Sequence, residues 1–63
     1  EHRLTRREEE ILVLLSEGMT AAVIAETLVI STSTAKSHMR NIYAKLGVHT
    51  QGELLLLIHR HEA

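Results

Sequence analysis

Sixty-three residues, 44% of them apolar, with no Cys, no Pro and a formal net charge of −1, fit one small packed domain. They exclude a disordered tail, a disulfide scaffold and a thiolate metal site. No run approaches the roughly 18 apolar residues of a membrane span, nothing resembles a signal peptide, and the near-neutral charge gives no bulk attraction to nucleic acid.

The residue order predicts four helices, over about 6–17, 21–28, 32–46 and 51–61. Thr5 is the N-cap candidate of the first, and Glu8 three residues on completes a capping box. Glu8, Glu9 and Glu10 oppose the positive end of the helix dipole; contact with a polymerase or another domain is the alternative use of this acidic run. Apolar Ile11 to Leu15 follow, and Gly18 is a natural stop.

Thr20 is placed to cap a short second helix whose Ile24, Ala25 and Leu28 share a face. Ser31 caps the third. So few residues separate these two helices that they must cross sharply, as in a helix-turn-helix. The third helix ends at Gly47. Thr50 then caps a fourth, with Glu53 closing a second capping box and Leu54 to Ile58 filling its centre. No alternating strand pattern appears, so the expected class is all-α, a four-helix bundle around a central helix-turn-helix.

At about 100° per residue, Ala35, Met39, Ile42, Tyr43 and Leu46 form the core stripe of the third helix. Opposite lie Ser33, Ser37, Arg40 and Ala44, flanked by Lys36 and Asn41. All eight acids are Glu, and none falls between Glu26 and Glu53. A solvated face is the bland account of this stripe, but the short turn before it and the missing acids favour DNA. An α-helix fits the major groove, where Arg, Lys and Asn read base edges. Thr32 and Thr34, at the helix start where the dipole favours anions, and Lys45 are the phosphate-contact candidates; plain capping is the competing role of the threonines.

Leu54, Leu57 and Ile58 share a core-facing side of the fourth helix, which leaves Leu55 and Leu56 as a candidate dimer surface. A helix wrapped deeply by the other three is the alternative. His59 and His61 point to different sides of their helix and His38 and His49 are distant in sequence, so no metal site is expected. No cofactor and no nucleophile–base pairing suggests itself either, and the expectation is a protein that is not an enzyme.

"LTRREEEIL" (Leu4 to Leu12), "GMTAAVIAETLVIS" (Gly18 to Ser31) and "STAKSHMRNIYAKLGV" (Ser33 to Val48) together resemble the LuxR-type helix-turn-helix domain of bacterial transcription regulators. The resemblance spans nearly the whole chain. It implies a double-stranded DNA-binding domain over 1–63, excised from the C-terminus of a larger regulator, a fitting reading for a chain that begins at Glu1. It also implies base contacts at Lys36, Ser37, Arg40 and Asn41, a homodimer formed through the fourth helix, and RNA polymerase as a further partner. The implied location is the cytoplasm, at the nucleoid, with no membrane contact by this domain even where the whole protein is membrane-attached.

Three departures from the family pattern lead to an expectation of weak binding by a single copy. Ala21, Ala22 and Val23 replace a polar pair and a Glu, Gln51 replaces an Arg, and Ala35 replaces a larger branched residue. Two other roles compete with the regulator: a promoter-recognition domain of a sigma factor, and a protein-interaction module built on the Leu-rich helix.

Overall fold

The computed structural model describes residues 3–62, with side chains to residue 60. His61, one of the histidines weighed above, therefore has its side chain outside the described residues. The chain forms α1 (Arg6–Ser16), α2 (Ala21–Leu28), α3 (Thr32–Leu46) and α4 (Gln51–Glu62), with no strand among the described residues. The all-α expectation and the helix bounds agree with this architecture to within a residue.

Each helix starts on a short hydroxyl side chain. Thr5 Oγ1 accepts the Glu8 N–H at 3.2 Å and Glu8 Oε1 accepts the Thr5 N–H at 2.9 Å, which completes the capping box. Thr20 accepts from the Val23 N–H at 3.3 Å and Ser31 from the Thr34 N–H at 3.0 Å. Thr50 accepts from the Glu53 N–H at 3.1 Å, but the Glu53 carboxylate takes the His49 N–H, at 2.8 Å. The second capping box is thus displaced by one residue: the reciprocal bond captures the residue before the cap.

Three helices end alike. Met19 N–H reaches back to the Leu14 carbonyl, Ile30 N–H to that of Ala25, and Val48 N–H to that of Tyr43. This closure needs a left-handed residue just past the helix. Gly18 (φ 85°) and Gly47 (φ 73°) supply it at two ends, and Val29 (φ 57°) at the third. A β-branched residue is costly there, and Val29 is 89% exposed, so no burial offsets the strain.

Ile11 and Leu15 of α1, Ile24 and Ala25 of α2, Ala35 and Ile42 of α3, and Leu54 of α4 make the buried core. Every helix contributes, so burial of these apolar side chains depends on all four. Leu4, Leu28, Met39, Tyr43, Leu46 and Ile58 are among the half-buried side chains packed round it. α3 packs on both α2 and α1, and α4 packs chiefly on α1. Ala35 is fully buried, and a side chain this small allows α3 to lie close to its neighbours.

Two polar links fasten this arrangement. Gln51 Nε2 donates to the carbonyls of Leu15 (3.1 Å) and Met19 (3.0 Å), so the start of α4 satisfies one carbonyl in the last turn of α1 and one in the connection that follows it. Glu8 is 4% exposed, and Lys45 Nζ lies 2.6 Å from its Oε1 and 3.1 Å from the Arg3 carbonyl. The end of α3 is thereby pinned to the start of α1.

Candidate functional site

With Ala35 and Ile42 in the core, helical geometry turns Ser33, Lys36, Ser37, Arg40, Asn41 and Ala44 outward, and all six are exposed. The four residues expected to read bases therefore lie together on one open face of α3. Among the described residues, neither Lys36 nor Arg40 pairs with a carboxylate; the ion pairs are Arg7–Glu10, Lys45–Glu8 and a close approach of His49 to Glu53. Two unneutralised cations on an acid-free helix face create a local positive potential that the net charge conceals.

Thr32 and Thr34 are exposed at the α3 N-terminus. Thr34 takes part in the cap: its N–H donates to Ser31 Oγ, and its hydroxyl oxygen accepts the Ser31 hydroxyl at 2.8 Å. Capping is therefore one of its roles, and a phosphate contact would be added to it. Lys45 stands apart from the open face. Its side chain is half-buried and its ammonium lies on Glu8, so reaching a phosphate would require it to share or leave that carboxylate.

The Lys45 hydrogen bond, helped by the Thr5 N–H, holds the Glu8 carboxyl below the ordinary value of 4.5 against an opposing desolvation. Reading Glu8 as a capping-box partner and a helix-start charge missed this pair. Its burial was legible, since Glu8, Ile11 and Leu15 recur at three and four residues and all three are buried, but its partner was not. Gln51, read above as a missing cation, instead clamps two carbonyls. No sequence pattern announces a bond between residues 36 and 32 positions apart.

A shallow groove flanks the open face. Arg40 and Tyr43 line it along α3, and His49 closes it from the loop before α4, with Ala44, Gly47 and Val48 at one end and Lys36 and Met39 at the other. Burial pushes the Tyr43 phenol up, so it remains a hydroxyl donor at neutral pH. On α4, Leu54 is fully buried, Leu55 half-buried and Leu56 66% exposed. Of the two residues expected at a dimer surface, Leu56 is the open one. No helix among the described residues is long and apolar enough to cross a membrane.

Residues 2–58 match the family model described as "Bacterial regulatory proteins, luxR family". Transcriptional regulatory protein LiaR of Bacillus subtilis is 44% identical over 57 residues, covering 90% of this chain and 27% of LiaR. Fimbriae Z protein of Salmonella typhimurium is 41% identical over 59 residues, covering 94% of this chain and 28% of that protein. Transcriptional regulatory protein DegU of Brevibacillus brevis is 40% identical over 55 residues, covering 87% and 23%. The chain thus spans about a quarter of the length of these curated relatives.

Proposed function

The chain belongs to the luxR family of bacterial regulatory proteins, and from that premise we propose that it is the double-stranded DNA-binding part of a transcription regulator, with α3 entering the major groove. The observation that carries this reading is the exposed, acid-free stripe of Lys36, Ser37, Arg40 and Asn41. The guanidinium of Arg40 donates two hydrogen bonds to guanine O6 and N7. The Asn41 amide pairs with adenine, Lys36 reaches guanine or a phosphate, and Ser37 is short enough to allow close approach.

Thr32 and Thr34 fix the register against phosphates at the α3 N-terminus. Lys45 contributes least of the proposed phosphate contacts, because Glu8 competes for its ammonium. A second copy joined through Leu56, with Leu55 beside it, sets two α3 helices on related half-sites. RNA polymerase is the partner through which a bound regulator would act, and the nucleoid is where it would do so.

Selection of bound duplexes from a random pool at fixed salt tests the reading. An enriched sequence is expected, and Arg40→Ala should cost about 1–3 kcal/mol and relax the preference at one base pair. Failure to enrich any sequence, or an Arg40→Ala chain that selects the same sequence as strongly, overturns it. Wild-type binding to a protein through α4, with duplex binding absent, would favour the interaction module.

A further inference from the structure

A second groove runs between α4 and the end of α3. Glu53, Leu56, Leu57 and Arg60 line it from α4, and Leu46 and Val48 from α3 and its closing turn. We propose that this surface selects a second copy of the same chain, with the two α4 helices antiparallel and Glu53 of each copy paired with Arg60 of the other. The proposal rests on the dimer reading above and adds to it the direction in which the copies meet and the residues that choose the partner.

At about 100° per residue, Glu53, Leu56, Leu57 and Arg60 form one stripe of α4. Leu55 falls outside it, on the flank beyond Leu56. Leu56 is 66% exposed and Leu57 is half-buried, so the middle of the stripe is apolar and open. Its ends carry opposite charges. Glu53 and Arg60 stand two turns apart, about 10 Å along the helix, with the two leucines midway between them.

A two-fold axis crossing α4 between Leu56 and Leu57 therefore sets Glu53 opposite Arg60 on both sides and lays leucine on leucine at the centre. A parallel pairing in register sets Glu53 on Glu53 and Arg60 on Arg60, and like charges repel. A partner helix with the same leucines but another order of charges meets the same repulsion. Both charges are available for the pairing. Glu53 is half exposed. Its Oε1 accepts the His49 N–H at 2.8 Å, which holds the carboxylate in place, and a carboxylate has room for further donors. Arg60 is exposed, and among the described residues it pairs with no carboxylate. Exposed ion pairs add little affinity. The leucines therefore hold the copies together, while the charges decide which surfaces meet and in which direction.

The measurement is self-association at low salt, where exposed charges are least screened, with and without a random-sequence duplex. Native mass spectrometry reads it, with one member of each mixture isotope-labelled. Glu53→Arg and Arg60→Glu should each lose the dimer when alone, because each sets like charges together. Mixed, they should form the heterodimer in about tenfold excess over either homodimer, since both of its contacts then join opposite charges. Glu53→Gln keeps an acceptor for the His49 N–H and replaces Glu53→Arg if that variant unfolds; its mixture with Arg60→Glu should again favour the heterodimer. A mixture that gives only the statistical share of heterodimer overturns the proposal, even where wild type dimerises and Leu56→Glu does not. A wild type that stays monomeric, both alone and on the duplex, overturns the dimer reading, and this proposal with it.

Discussion

The Glu8–Lys45 pair links the first turn of α1 to the last turn of α3, with Glu8 buried and Lys45 half-buried. Removing one partner of such a pair leaves the other without compensation, which is more damaging than the pair is stabilising. The Glu8 carboxyl is depressed by Lys45 and then by the Thr5 N–H. A depressed carboxyl stabilises the fold fully above its unfolded value of about 4.5, and that contribution is lost as pH falls through the lower folded value. Glu8→Gln should therefore be less stable than wild type near neutral pH, and the difference should shrink as pH drops below the ordinary carboxylate range. Urea denaturation across that range checks it; a difference that is constant with pH would mean that Glu8 acts only through shape. Glu8 also marks a limit of reading residues singly. Its capping role is local and legible from Thr5 three residues away, whereas its partner lies 37 residues on and emerges only when α3 is folded back against α1.

Helix ends explain why the elements could be read so closely. Thr5, Thr20, Ser31 and Thr50 are all N-caps to hydrogen bonds within three residues, and such bonds depend on local sequence. The glycines at 18 and 47 are legible for the same reason. Val29 is not, because nothing in a valine announces a left-handed backbone; the short α2–α3 connection imposes it. With its side chain 89% exposed, Val29 gains little from packing and carries roughly 1–2 kcal/mol of left-handed strain. Val29→Gly should relieve it at the expense of some chain entropy in the unfolded state, for a net gain of about 1 kcal/mol. The urea midpoint should rise with no change in slope. A lower midpoint would show that the valine side chain makes a contribution in the turn that its exposure hides.

At the scale of the whole molecule the difficulty is cationic strength. Of the three cations between Ser31 and Thr50, Lys45 is engaged by Glu8, which leaves Lys36 and Arg40 on the open face. A single copy neutralises few phosphates, so its affinity should be modest and its salt slope shallow. Joining two copies makes the second docking event intramolecular and raises affinity by about 10²–10⁴-fold without any new DNA contact. Leu56 is the exposed apolar residue of α4 best placed for that union, since Leu54 is fully buried and Leu55 is half-covered. A duplex with two half-sites should bind wild type with about twice the salt slope of a single half-site. Leu56→Glu should abolish the doubling and the added affinity while leaving single-half-site binding and thermal stability near wild type. The sequence could nominate both Leu55 and Leu56 but not rank them, because their exposure depends on how α4 leans on α1. Retention of the doubled slope by Leu56→Glu would exclude this face as the one that joins the copies, and the fold would then have to bring two α3 helices together through another surface.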